Sequence, residues 1–271
     1  MHSRVDAAIA PLLPGRSLAL AGLRIDRLKK TAWFRPFVEG RRPAALRRFE
    51  ERTGMDLVRD VWEVVWSFRP EGSVAFLRGK FGGAFGQEPR FQQPGVVKRS
   101  YKTYYLLERD GTGVLFLGPG VAILGRTADC ERIVDARDRA DEQPPLALIR
   151  MVEELPICEL WAVARGGDGL RAVSDGGLPL KAGPLFDSLD ELRLTARAGQ
   201  TLIVSARGLF RTPADARAVR DGLEALRQMA SLARQHGSAL DAIRGARLEA
   251  ADREVRLEAE LDFDQWQEWV G

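Results

Sequence analysis

Apolar residues occur along this chain in short runs separated by turn residues, a pattern typical of β-strands. Neighbouring runs are joined mainly by turns such as Arg109-Asp110-Gly111-Thr112 and seldom by crossover helices, so an antiparallel sheet is expected. The predicted strands cover residues 18–25, 100–108, 113–117, 121–125, 158–165, 169–174, 191–198, 200–209 and 254–263, with a hairpin at residues 61–81. Helices are fewer, which predicts the α+β class.

The clearest helical pattern covers residues 213–236. Thr212 stands where a capping residue is expected, and Pro213 follows at the first helical position. Apolar residues then recur at spacings of three and four, which predicts one buried helix face. Shorter helices are predicted at residues 26–30, 43–54, 127–139 and 146–154.

Two segments of nineteen residues resemble each other. Residues 63–81 read EVVWSFRPEGSVAFLRGKF and residues 192–210 read LRLTARAGQTLIVSARGLF. Each has two apolar runs around a turn and ends in Arg-Gly-x-Phe, which indicates two copies of one unit. We therefore expect two pseudo-repeats, each a mainly antiparallel sheet with helices packed on one face. The predicted repeats are residues 1–141 and residues 142–271, the second of which contains the long helix.

The composition is that of a folded globular protein. Of 271 residues, 45% are apolar and 29% are charged, which suits a packed core and argues against disorder. No apolar run approaches the roughly 18 residues that a membrane span needs, so no span is predicted.

The first residues are not typical of a signal peptide, because they include Asp6 and two prolines and lack an apolar stretch of useful length. The location predicted from the sequence is therefore conditional. If a leader has been removed, a periplasmic or extracellular location is favoured, and otherwise a cytoplasmic one.

Positive charge is concentrated near the start of the chain. The net charge is +3, and residues 1–60 hold 13 Arg or Lys against 7 Asp or Glu. This excess makes an anionic partner conceivable, but nucleic acid is disfavoured because its binding sites usually show a denser patch. The candidate basic patch consists of Arg41, Arg42, Arg47, Arg48 and Arg52.

The sequence predicts no catalytic, cofactor or metal site. Only two histidines are present, His2 and His236, which argues against a histidine metal site or a Ser-His-Asp triad. Cys130 and Cys158 are too few for a disulfide scaffold and have no metal-ligand spacing, although a single disulfide between them stays open.

A glycine-rich segment covers residues 79–95. It contains neither of the phosphate-binding patterns GxxxxGK[ST] and GxGxxG, so a phosphate loop is disfavoured. A loop that carries aromatic residues is instead a candidate for partner contact. The candidate binding loop consists of Phe81, Gly82, Gly83, Phe85 and Phe91.

Several turn and core motifs resemble a class of uncharacterised bacterial proteins that are usually exported. The motifs are Leu13-Pro14, Asp26-Arg27-Leu28, Thr53-Gly54-Met55-Asp56, Arg59-Asp60-Val61, Arg78-Gly79-Lys80-Phe81, Gly111-Thr112-Gly113-Val114 and Leu124-Gly125. The resemblance implies a fold and an extracytoplasmic location, and it transfers no catalytic residue. The chain departs from the class after Phe81, where a glycine-rich segment replaces the expected helix.

These observations favour a non-enzymatic binding or structural module, extracytoplasmic, with an unknown ligand or protein partner. The alternative is an arginine-driven binder of an anionic polymer or surface, such as nucleic acid or a membrane. The third hypothesis is a hydrolase, which would require a carboxylate or lysine with a strongly shifted pKa in a cleft.

Overall fold

The fold is described from a computed structural model of the chain. The description covers residues 3–34, 50, 56–82, 95–139, 142–175, 186–232 and 244–262. The predicted helix at residues 43–54 therefore lies outside the described residues, apart from residue 50.

All described strands belong to one antiparallel sheet of twelve strands. The strands are β1 (Ala19–Arg24), β2 (Val61–Arg69), β3 (Gly72–Gly79), β4 (Val97–Tyr101), β5 (Tyr104–Arg109), β6 (Thr112–Gly118), β7 (Val121–Arg126), β8 (Leu160–Arg165), β9 (Leu189–Ala198), β10 (Leu202–Phe210), β11 (Arg247–Ala251) and β12 (Glu254–Leu261). Their order across the sheet is β11-β12-β10-β9-β8-β1-β2-β3-β7-β6-β5-β4. The predicted α+β class with a mainly antiparallel sheet is confirmed.

The described helices pack on this sheet. They are a 3-10 helix (Ala10–Leu12), α1 (Ile25–Leu28), α2 (Leu57–Asp60), α3 (Thr127–Arg139), α4 (Leu146–Glu153), α5 (Gly166–Asp175) and α6 (Pro213–Leu232). The start of α6 has the predicted cap: the Asp215 amide donates to Thr212 Oγ1, and the Thr212 amide donates to the Asp215 carboxylate. This reciprocal capping satisfies amides that no helical carbonyl can reach. No described helix is long and apolar enough to cross a membrane.

Two strand predictions were wrong in detail. The strand predicted at residues 100–108 is two strands, because Lys102 adopts a φ of 52° and starts a tight turn between β4 and β5. The strand predicted at residues 169–174 is helix α5. Its two buried side chains, Leu170 and Val173, are three residues apart and share one helix face, which the short apolar run alone could not distinguish from a strand.

The four strands nearest the sheet centre on each side follow the same order. Outward from β1 the strands are β2, β3, β7 and β6, and β5 and β4 then extend this side; outward from β8 they are β9, β10, β12 and β11. This order places the two similar segments in matching hairpins, β2–β3 and β9–β10. The duplication itself stays a prediction, as does the boundary between residues 141 and 142.

A single packing requirement explains the Gly-x-Phe step in both segments. Gly79 and Gly208 each lie under the ring of the phenylalanine two residues later, and Phe81 and Phe210 are both almost fully buried. Residues two apart on a strand share a face, so a side chain on the glycine would occupy the space of the ring. The hairpins differ in their turns, which have two residues in β2–β3 and three in β9–β10.

We expect Gly79→Ala to destabilise the protein by about 1–3 kcal/mol and Gly208→Ala by less than about 1 kcal/mol. A Cβ on Gly79 would lie 2.1 Å from the Asp60 carbonyl oxygen, which is part of the backbone. A Cβ on Gly208 would lie 3.0 Å from the Phe210 ring, a side chain that can adjust. Urea unfolding of both variants measures the difference, and equal losses would contradict this explanation.

The two halves of the sheet meet where β1 pairs with β8. Gly22 lies directly opposite Trp161, which is fully buried. A Cβ on Gly22 would lie 2.2 Å from the indole ring, so the indole occupies the space above the glycine. Because β1 pairs with β8, the sheet is continuous between the halves.

The sheet has two faces with different coverings. The front face, defined by Leu20 and Val163, is apolar in the first half and packs against residues 5–13, α3 and α4. On the back face of the second half, α5 and α6 cover an apolar cluster that includes Phe210 and Val255.

Cys130 and Cys158 are both buried and free in the front-face core, and burial raises the pKa of the Cys130 thiol to about 12. They do not form the disulfide that the sequence leaves open.

Candidate functional site: an arginine-rich groove

Most of the residues singled out in the sequence lie outside the described residues. These are the whole basic patch, Arg41, Arg42, Arg47, Arg48 and Arg52, and three loop residues, Gly83, Phe85 and Phe91. Gly82 is described and half-buried. Phe81 is 1% exposed and packs edge-on against Phe116 with ring centroids 5.9 Å apart, so it belongs to the core and is not a surface contact. A binding role for the rest of the loop stays a prediction.

A different surface has the geometry of a binding site. It is a groove of about 480 Å³ on the front face of the second half of the sheet. Its floor is formed by β9, β10, β12 and β11, and the wall consists of residues 154–156, which follow α4. The wall is anchored by Ser3, whose amide donates to the Leu155 carbonyl (2.8 Å) and whose hydroxyl donates to the Pro156 carbonyl (2.7 Å). We call this surface the arginine groove.

Two rows of directly opposed side chains form the groove floor. The first row, from β9 to β11, is Arg193, Arg207, Arg256 and Glu249. The second row is Thr195, Ser205, Glu258 and Arg247. Arg197 begins the next row on β9 and also lines the groove. The lining thus has five arginines and, with Glu154 from the wall, three glutamates.

Carboxylates hold the three arginines of the first row in place. Arg193 donates to Glu154 (2.6 Å) and to Glu191 (3.2 Å), whereas Arg207 and Arg256 both pair with Glu254. Like charges directly opposite each other on neighbouring strands repel, and the shared carboxylates offset this cost. Burial acts to raise the pKa of Glu254, but hydrogen bonds from the two guanidinium groups outweigh it and lower the pKa below its usual value.

Other charged groups of the groove are not neutralised in this way. Arg197, Arg247, Glu249 and Glu258 are all exposed, and none of them forms an ion pair with any residue that the structure describes. Glu258 only accepts a long hydrogen bond of 3.4 Å from Ser205. The groove therefore presents both signs of charge to solvent.

The matching strands of the first half carry apolar residues at the positions of the second row, whereas Arg207 of the first row is matched by Arg78, which lies opposite Glu63. Phe76 stands three residues before Gly79, as Ser205 stands three residues before Gly208, and it is opposed by Ile123 and then by Leu115. All three are fully buried under α3. The same strand order thus supports an apolar, helix-covered face in one half and a charged groove in the other.

A cationic and aromatic segment on β4 and β5 has its charges neutralised by α3. Arg99 binds Glu108 and Glu131, and Lys102 binds Asp135 and Asp138, each at 2.7 Å. These pairs attach the edge hairpin to the helix. The segment therefore does not offer free cations at these two positions to an anionic ligand.

One carboxylate has a strongly shifted pKa, but it lies outside the groove. Glu63 at the start of β2 is buried, and burial raises its pKa to about 7 in spite of Arg24, whose guanidinium lies 3.5 Å away. A hydrolytic carboxylate must face a cleft that admits substrate, and Glu63 faces the ionic cluster of Arg24, Asp6 and Arg78. Within the described ranges, no three His, Cys, Asp or Glu side chains are close enough to hold a metal ion.

The groove residues were not predicted as a site from the sequence. A signal was present, because Arg193, Thr195 and Arg197 alternate with apolar residues, as do Arg256 and Glu258. Period-two alternation predicts a polar strand face. Only the pairing of β9, β10, β12 and β11 shows that these polar positions lie side by side.

Comparison with solved structures shows a similar fold. The chain resembles TP0453, a bacterial protein from Treponema, in crystal form III (TM-score 0.56, 10% identity, 96% of this chain and 97% of that one). Crystal form I gives a TM-score of 0.53 at 10% identity, covering 95% and 94%, and crystal form IV gives 0.51 at 12% identity with the same coverage. At this identity the likeness concerns the fold alone. No protein-family model and no curated protein matches the chain.

Proposed function

We propose that this protein is a non-enzymatic binding module and that the arginine groove is its ligand-binding surface. The observation that carries the proposal is the contrast between the halves. Where Phe76, Ile123 and Leu115 form buried core, the matching positions of the second half are polar or charged and open to solvent. A polar sheet face can be merely solvated, but here it is concave, walled and contains unpaired charges.

The chemistry of the lining suits binding better than catalysis. Its polar side chains are guanidinium, carboxylate and hydroxyl groups beside a few apolar residues, and it includes no histidine or cysteine. Guanidinium groups are planar donors that bind carboxylates and phosphates with fixed geometry. Arg193 is already oriented by two carboxylates, which limits the rotamer freedom that a ligand would have to restrict.

The test is a titration with three capped eight-residue peptides: acidic (ESESESES), basic (KSKSKSKS) and alternating (ESKSESKS). We expect saturable binding of the acidic or the alternating peptide, and we expect Arg197→Gln combined with Arg247→Gln to weaken it about five- to tenfold. The matched control, Arg217→Gln with Arg220→Gln, changes two exposed arginines on α6 and should leave the affinity unchanged. If no peptide binds, or if both double variants bind like the wild type, the groove is not the binding surface.

The anionic-polymer alternative stays a prediction, because its patch lies outside the described residues. Binding to inorganic polyphosphate at several salt concentrations tests it. A polymer bound through the five patch arginines should lose affinity steeply as salt rises, and a flat response would rule out this mode. An extracytoplasmic location also belongs to the proposal.

A further inference from the structure

We infer that the groove ligand is an extended polypeptide segment in which charged side chains alternate in sign at every second position. This inference rests on the proposed function and adds the chemical class of the partner. It follows from the pattern of charges on the two outer strands, from their lack of neutralisation and from the spacing between them.

The outer strands β11 and β12 carry a checkerboard of charges on the groove face. Arg247 and Glu249 are two residues apart on β11, and Arg256 and Glu258 are two residues apart on β12. The antiparallel register places Arg247 opposite Glu258 and Glu249 opposite Arg256. Within these four residues each strand alternates in sign and each opposed pair has opposite signs, although on β12 the next same-face residue after Glu258 is Glu260, which has the same sign.

Opposed side chains of opposite charge on neighbouring strands normally pair. Here neither opposed pair forms an ion pair, because the Arg256 guanidinium binds Glu254 instead and Arg247 has no carboxylate partner among the described residues. Arg247, Glu249 and Glu258 consequently keep their charges available to a partner.

The spacing of the charges matches an extended peptide. Residues two apart on a strand are about 6.6 Å apart, which is also the repeat between same-side residues of an extended ligand. A ligand running along β11 can place an acidic residue against Arg247 and the next same-side residue, a basic one, against Glu249. β11 is also the last strand in the described order, so a strand-like ligand approaching its outer side would meet peptide groups as well.

A polymer with one sign of charge fits the groove less well. On β11 and β12, phosphate or carboxylate groups repeated at every position would meet Glu249 and Glu258 as often as Arg247 and Arg256, and like charges in contact weaken binding. The lining also has no aromatic side chain on which bases or sugar rings could stack. A polypeptide with both signs of charge avoids these costs.

The test compares two peptides of identical composition and net charge, the alternating ESKSESKS and the block sequence EESSSSKK. We expect the alternating peptide to bind about tenfold tighter, since only this peptide has glutamate and lysine two residues apart, as the checkerboard requires. The double variant Glu249→Gln and Glu258→Gln, at two exposed positions, should abolish this preference and strengthen binding of the acidic ESESESES.

Equal affinity for the alternating and block peptides would overturn the inference, as would tighter binding of the acidic peptide or of inorganic polyphosphate to the wild type. In each of these cases, sensitivity to Arg197→Gln with Arg247→Gln would still support the groove as the binding surface. Failure of every peptide to bind would instead remove the proposed function itself. The two failures are therefore distinguishable within one set of titrations.

Discussion

Asp129→Asn is expected to lower the free energy of unfolding by about 3–5 kcal/mol, because it leaves a buried arginine without its main counter-charge. Asp129 lies in the first turn of α3 with a side chain 1% exposed, and Arg69 at the end of β2 is 3% exposed. Their charged groups are 3.4 Å apart. Two of the Arg69 guanidinium nitrogens are buried without a hydrogen-bond partner, so this cation depends on the charge of Asp129.

The other partners of Asp129 can be lost at little cost. Arg126 and Arg132 bind it at 2.8 and 3.1 Å, but both side chains are more than half exposed and can return to water. Among the residues that the structure describes, the other carboxylate paired with Arg69 is that of Glu71, at 3.3 Å and 37% exposed. The loss on substituting Asp129 therefore comes mainly from Arg69.

The matched control is Asp138→Asn on the same helix. Asp138 is 42% exposed and pairs with Lys102, and an exposed pair of this kind contributes roughly 0–1 kcal/mol. Urea unfolding should separate the two variants by at least about 2 kcal/mol. Replacing both partners, by Arg69→Met with Asp129→Leu, should recover much of the loss, since no charge is then buried alone. Equal stability of the Asp129 and Asp138 variants would show that the buried pair contributes little.

Elements that depend only on residues close together in the chain could be predicted from the sequence. The cap of α6 follows from Thr212 and Asp215, and the β2–β3 hairpin follows from two apolar runs around a turn. The sequence was not sufficient for α5, because Leu170 and Val173 fit a short strand pattern as readily as a helix face. The contact between Gly22 and Trp161 could not be predicted either, because the two residues are 139 positions apart in the sequence.

The candidate groove could not be predicted from the sequence for a related reason. Each strand shows its own alternation, but the groove depends on which strands are neighbours and on their register. If the pairing register of β12 shifted by one residue, the apolar residues next to Arg256 and Glu258 would face the groove instead, and the checkerboard would be lost. Phe81 was misjudged from its neighbours: the glycines beside it suggested an exposed loop, whereas its ring is buried and lies against Gly79.

Glu63 should make the stability of the protein depend on pH in the range from about 4.5 to about 7. Burial raises its pKa from an ordinary 4.5 to about 7, so the folded protein binds this proton more tightly than the unfolded chain. The stabilisation is full below the lower value and is lost as the pH rises through the higher one. A shift of this size corresponds to a loss on the order of 3 kcal/mol at about pH 8.

Glu63→Gln should flatten this dependence, because the amide stays neutral at every pH. The groups that surround the side chain are Arg24 and Arg78, which favour its charged form, and Asp6 and Asp26, which oppose it. Urea unfolding at several pH values measures the difference in stability between variant and wild type, which should grow in favour of the variant as the pH rises. Glu153→Gln, at an exposed position on α4, serves as the control and should follow the wild type throughout. If the Glu63 variant also followed the wild type, the carboxylate would have to be ionised in the fold, held by Arg24 and Arg78 strongly enough to cancel the cost of burial.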